Sequence, residues 1–94
     1  MGVLFDQIRR AVEQDRFVIG LHAHERIRER QMKVWHIVAG LASGRLLTER
    51  PDASPNPVVE VEQILPDGTP ILAVWAWLPI SRLAKLVTVH YFDR

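Results

Sequence analysis

The chain has no cysteine, which excludes disulfides, thiolate metal sites and a cysteine nucleophile. That usage fits a reducing cytoplasm. No apolar run is long enough to span a bilayer, and no positive cluster is followed by an apolar block and a cleavage site. Neither a membrane segment nor a signal peptide is therefore expected. Aromatic residues are scarce at 7%, but a hydrophobic fraction of 48% against 24% charged is globular rather than disordered. Neither sign of charge dominates. A formal net charge of +1 argues neither for nor against a nucleic-acid partner. No linker, repeat or low-complexity tract divides the 94 residues, so residues 1–94 are read as one small domain near the lower size limit for an unstapled core.

What is present concentrates in residues 20–30, Gly-Leu-His-Ala-His-Glu-Arg-Ile-Arg-Glu-Arg. Read as a helix, His22, Arg26 and Arg30 recur every four residues and form one stripe. Ala23 and Ile27 lie beside it and face the core, so the stripe runs along the border between buried and wet. Gly20 and Leu21 mark the helix start, without a Ser, Thr, Asp or Asn cap. Residues 26–33 carry Arg26, Arg28, Arg30 and Lys33 against Glu29 alone.

Around this stretch the hydrophobic period gives the remaining elements. Residues 3–14 form an amphipathic helix with Leu4, Ile8, Ala11 and Val12 inward and Phe5 at the margin. Phe17, Val18 and Ile19 form a short edge strand. A third helix runs over residues 34–43 with Val34, Ile37, Val38 and Leu41 inward, and Gly44 stops it at a position that wants a left-handed residue. From Arg45 the period becomes two. Residues 45–50 form a strand, and the proline-rich residues 51–57 a loop. Residues 58–65 form a strand with Val59 and Val61 opposite Glu60 and Glu62. Pro66-Asp67-Gly68-Thr69 is a hairpin turn. Residues 71–78, nearly all apolar, form a central strand covered on both faces. After a turn at residues 79–82, residues 86–92 form the last strand, with Val87, Val89 and Tyr91 opposite Leu86, Thr88, His90 and Phe92. The expected fold class is α+β, with two to three N-terminal helices packed on a C-terminal four-stranded antiparallel sheet.

The signature His22-Ala23-x-x-Arg26-x-x-x-Arg30, the following helix ending at Gly44, and the late strand Leu86-Val87-Thr88-Val89-His90-Tyr91 together resemble the bacterial domain of unknown function 4258 family. The resemblance runs from about Val18 to Tyr91. It departs from the family's pattern at Leu21, where a small hydroxyl cap is usual, and at Gln31-Met32-Lys33-Val34, in place of a glycine-containing break. It departs again in the proline-rich loop and at His90, where tyrosine is frequent. The family's helices followed by an antiparallel sheet look like the RelE-type ribonuclease toxins. The resemblance thus implies a toxin-like protein acting on RNA or the ribosome, with a cognate antitoxin as partner.

Metal-free RNA cleavage needs a base, an acid and cations for the crowded phosphate. His22 suits the first two roles because imidazole titrates near neutrality, and Arg26 and Arg30 suit bidentate phosphate binding. His90 or Tyr91 would complete an acid–base pair if the last strand passes the helix, with Thr88 and Glu60 orienting residues at most. Arg28 and Lys33 are further candidates for contacting nucleic acid. The structural reading is the commoner one for such residues: Arg26 and Arg30 pairing with Glu29, Glu60 or Glu62, and His22 bonding to backbone at the helix start. His22 and His24 point about 200° apart on a helix and cannot share an ion; Glu25 with His22 lacks a third ligand, so no metal and no cofactor are expected. Trp75 and Trp77 share a sheet face and read as core or dimer surface before a base-stacking platform shared with Trp35. Two readings stay open. One is a small RelE-like ribonuclease. The other is a non-catalytic interaction module or homo-oligomer with structural His and Arg residues.

Overall fold

The computed structural model describes residues 2–92. Three helices, α1 (Val3–Glu13), α2 (Leu21–Glu29) and α3 (Val34–Gly40), accompany five strands, β1 (Phe17–Ile19), between α1 and α2, and β2 (Arg45–Arg50), β3 (Val58–Ile64), β4 (Pro70–Leu78) and β5 (Leu83–Tyr91), after the helices. A 3-10 turn, Leu41–Ser43, extends α3. The α+β class is as expected, but the sheet is five-stranded and mixed, in the order β1-β5-β4-β3-β2. The expected four antiparallel strands are joined by β1, which pairs in parallel with Ala84–Leu86. Arg16 and Leu86 carbonyls accept from the Ala84 and Gly20 N–H groups at 3.1 and 2.9 Å. A three-residue apolar strand has no local signal for its partner, so only the folded chain decides this pairing.

The helices share one face of the sheet. Phe5, Ile8, Ala11 and Val12 of α1, Ala23 and Ile27 of α2, and Ile37 of α3 join Val59, Val61, Ile71, Ala73, Trp75, Trp77, Ala84, Leu86 and Val89 in one core. In α1 it is Phe5 that is buried and Leu4 that sits at the margin. The expectation that β4 is covered on both faces is corrected in part: on its other face Ala76 is buried, beside residues 54–56 of the proline-rich loop, but Leu72, Val74 and Leu78 are only half-buried. A largely antiparallel sheet with helices on one side leaves the other side toward water. The loop at residues 51–57 folds back to β4, where the Pro57 carbonyl accepts from the Trp77 N–H at 2.9 Å.

The alternation expected for the last strand also changes phase. Trp75 pairs with Leu86 but Val74 pairs with Thr88, so Val87 is an extra residue in a β-bulge. The bulge lets Leu86 and Val89 both point into the core. Tyr91 then follows Val89 onto the helix-covered face, and His90 points to the open one.

Both long helices end in a Schellman motif without glycine. In α1, Asp15 has φ 60° and the Arg16 N–H reaches the Ala11 carbonyl at 2.8 Å. In α2, Gln31 has φ 57°, and Gln31 and Met32 N–H groups reach the Arg28 and Ile27 carbonyls at 3.2 and 2.9 Å. Gly44, by contrast, is extended at φ −68° and ψ 154°, so its expected left-handed role is corrected. Its requirement is space: a Cβ there would lie 2.6 Å from Val61 Cγ1.

The one fully buried polar side chain among the described residues, Gln63, ties the layers together. Its Oε1 accepts from Trp75 Nε1 at 3.0 Å and its Nε2 donates to the Ile37 carbonyl at 2.7 Å. Gln63→Leu keeps the volume but leaves an indole N–H and a carbonyl unpaired. The expected result is a loss of roughly 2–4 kcal/mol in stability, read as a lower denaturation midpoint with Trp75 near-ultraviolet signal broadened before global unfolding.

Candidate functional site

The histidine–arginine stripe forms as a helix, but its members do not converge on one point. Eight residues of rise separate His22 from Arg30, about 12 Å along the axis. The His22 side chain is 55% exposed, and its Nδ1 lies 3.9 Å from Glu25 Oε1. Arg26 Nη1 donates to Glu29 Oε1 at 2.7 Å in the same helix, which is one of the structural pairings expected for it. Glu60 and Glu62, the other expected partners, lie on the open sheet face and pair with Arg50 and Arg45 at 3.0 and 2.7 Å. The bulged register carries Thr88 and His90 to that same open face, away from α2. His22 and His90 therefore lie on different sides of the sheet, and of the two candidates on the last strand it is Tyr91 that shares the helix-covered face.

What the fold does bring together is the end of the stripe and the end of β5. Arg30 caps α2, and its guanidinium lies over the Tyr91 ring, 5.8 Å from the centroid. The Tyr91 hydroxyl donates to the Arg30 carbonyl at 3.3 Å, a long bond at an exposed position. This contact is sited by α2's termination: left-handed Gln31 turns the chain, Met32 packs inward against the core, and Lys33 is left in solvent. Beyond this elbow lies a pocket of about 240 Å³ lined by Gln31, Met32, Lys33, His36, Leu65, Pro66, Asp67 and Tyr91.

The elbow is electropositive at its rim. Among the described residues, Arg28, Arg30 and Lys33 have no carboxylate within salt-bridge distance. The acidic group in the pocket is Asp67, whose Oδ1 accepts from the Thr69 N–H at 3.0 Å, closing an Asx turn at the tip of the β3–β4 hairpin. The Thr69 backbone hydrogen bond, then its side chain, hold the Asp67 carboxyl below its ordinary value, with His36 a smaller contribution of the same sign. The carboxylate is thus charged at neutral pH. Gly68, at φ 90°, makes the tight turn possible.

Of the residues at this elbow, Tyr91, Arg30 and Lys33 are candidates from the sequence, whereas His36, Asp67 and Gln31 are brought there by the fold alone. His36 flanks an apolar helix face and Asp67 belongs to a turn signal, so each has a local explanation that hides its place in the pocket. Trp75 and Trp77 are core residues, whereas Trp35 is 75% exposed on α3. Among the described residues no three His, Asp or Glu side chains gather into a metal-binding group. No helix of the described residues is long and apolar enough to cross a membrane.

The Tyr91 hydroxyl bond is long and exposed, so Tyr91→Phe should change stability by no more than about 0.5 kcal/mol. Removing the exposed His22 side chain should be equally mild. A thermal melt of the two variants checks both expectations. A large loss in either would mean that the residue is structural.

No curated protein and no solved structure matches the chain. Residues 19–90, from the end of β1 to the penultimate residue of β5, match the family described as Domain of unknown function (DUF4258). The match takes in α2, the elbow and most of the residues lining the pocket, and over that span the chain belongs to the DUF4258 family.

Proposed function

We propose that the domain binds RNA by its phosphates at the elbow and cleaves it without a metal ion, as a RelE-like, toxin-like ribonuclease. The observation that carries this reading is the meeting of Arg30 and Tyr91 at the mouth of a pocket that also presents Lys33 and His36. Arg30 and Lys33 supply the cations for a phosphate, the arginine in bidentate fashion. His36 and the Tyr91 hydroxyl are the two proton-transfer groups at the same mouth.

In that reaction the ribose 2′-oxygen attacks the adjacent phosphorus while a base takes its proton. The bond from phosphorus to the 5′-oxygen of the next nucleotide breaks, and an acid supplies the proton that oxygen needs. The products are a 2′,3′-cyclic phosphate and a free 5′-hydroxyl, so atoms and charge balance without a co-reactant. Arg28, Arg26 and His22 lie progressively further along α2 and would meet flanking phosphates rather than the scissile one. On this reading the protein works in a bacterial cytoplasm on free or ribosome-bound RNA, and a cognate antitoxin would have to cover the elbow.

The half-buried apolar residues on the open sheet face favour one alternative, a non-catalytic homo-oligomer. Sedimentation distinguishes the two, because that alternative requires a dimer whose mass is unchanged by elbow substitutions.

The direct test is cleavage of a mixed RNA pool by the purified protein in EDTA. His36→Ala and Tyr91→Phe should each lower the rate by about 10²–10⁴-fold. Arg30→Ala should weaken binding and reduce the slope of log affinity against log salt by about 0.7. Full activity in both His36→Ala and Tyr91→Phe, or RNA binding indifferent to salt, would overturn the assignment.

A further inference from the structure

The rim explains phosphate binding but leaves the pocket itself unused. Its walls are Met32, Leu65 and Pro66, with the Tyr91 ring at one side, and its polar groups besides Lys33 and His36 are Asp67 and the Gln31 amide. A cavity of about 240 Å³ is smaller than the roughly 300–1,000 Å³ of clefts that enclose drug-sized ligands. It suits a single planar base. Apolar walls beside an aromatic ring are the usual setting for an unstacked base in single-stranded RNA.

The polar groups narrow the choice of base. Asp67 is an acceptor-only carboxylate with about four lone-pair sites, and the turn bond from Thr69 occupies one of them. That bond also fixes the carboxylate's orientation relative to the hairpin. Guanine presents two adjacent donors, N1–H and the N2 amino group, to such a carboxylate. Adenine presents its N1 acceptor beside the N6 amino group, and cytosine its N3 acceptor beside the N4 amino group. Both would set a lone pair against a negative oxygen. Uracil offers one N–H between two carbonyls. The O6 of guanine would face a donor, and the Gln31 amide is a donor lining the same pocket. A mismatch here sets a lone pair of the base against the Asp67 carboxylate, which stands exposed at the hairpin tip where a bound base would cover it.

We infer that the pocket between the α2–α3 elbow and the β3–β4 hairpin is a guanine subsite, with Asp67 reading the N1 and N2 donors and Tyr91 flanking the ring. The inference rests on the RNA reading of the same site and adds the base that the site selects. It makes Asp67 a specificity residue, distinct from the phosphate clamp.

The test is fluorescence anisotropy of the full chain with three labelled RNA hexamers, methylated at the 2′-oxygens so that they cannot be cleaved, in one buffer: all adenosine, the same with one central guanosine, and the same with inosine there. Wild type should bind the guanosine hexamer about tenfold or more tighter than the adenosine one. Inosine, which keeps N1–H and lacks the amino group, should fall between. Asp67→Asn retains an oxygen for the Thr69 N–H, so the turn survives, and a matching thermal midpoint verifies that. It should bring the guanosine preference below about twofold while adenosine binding stays level or improves. Arg30→Ala should weaken all three hexamers by a common factor. Equal affinity of wild type for the guanosine and adenosine hexamers, or a preference that Asp67→Asn preserves, overturns the guanine subsite while leaving RNA binding intact. No binding of any hexamer overturns both readings.

Discussion

The Gln63 amide is the interaction on which the arrangement of layers depends. It sits at zero water exposure for practical purposes, and both ends are committed: the oxygen to the Trp75 indole and the nitrogen to the Ile37 carbonyl. Those partners also settle which end of the amide is which. Hydrophobic burial alone would let α3 slide over the sheet, because aliphatic contacts are non-directional. A buried amide satisfied in one geometry allows a single register between α3, β3 and β4. The glycine at position 44 serves the same close approach, since any side chain there would strike Val61.

With α3 fixed, the position of the elbow follows. The Schellman motif at the end of α2 spans only a few residues, yet it sets three things at once. It points Met32 into the core, leaves Arg30 and Lys33 outside, and starts α3 where His36 faces the β3–β4 hairpin. The Val87 bulge makes the matching adjustment on the sheet, because without its extra residue Tyr91 would fall on the open face and His90 would turn toward the helices. A chemically mixed pocket therefore arises where two local irregularities, a non-glycine left-handed residue and a β-bulge, are held by an ordered core. Outside the family match, α1 contributes Phe5, Ile8, Ala11 and Val12 to that core. It is anchored at its first turn, where Glu49 of β2 accepts from the Phe5 N–H at 2.9 Å and supplies the negative charge that a helix N-terminus favours.

Much of the architecture was legible because periodicity is a local property. The spacing of Ile8, Ala11 and Val12, of Ala23 and Ile27, and of Val59 and Val61 each reports one buried face. The hairpin at Asp67-Gly68 reports itself by turn chemistry. The helix that carries His22, Arg26 and Arg30 was equally plain, but which of the three meets another element was not. Residues four apart share a helix face, and that says nothing about which end of the face meets another element. Arg26 is satisfied within its own helix by Glu29, whereas Arg30 reaches Tyr91 sixty-one positions away.

The sequence by itself determined the three helices, the four longer strands, the loop at residues 51–57 and the family membership carried by the helix signature. These follow from side-chain period and backbone preference within a window of a few residues. Only the tertiary structure decided that Phe17–Ile19 joins β5 in parallel, that one face of the sheet stays open, and that Tyr91 rather than His90 faces α2. It also decided that His36 and Asp67 share a pocket. Each of these depends on a long-range pairing or on a one-residue change of strand phase, and a single inserted residue reverses every side chain beyond it.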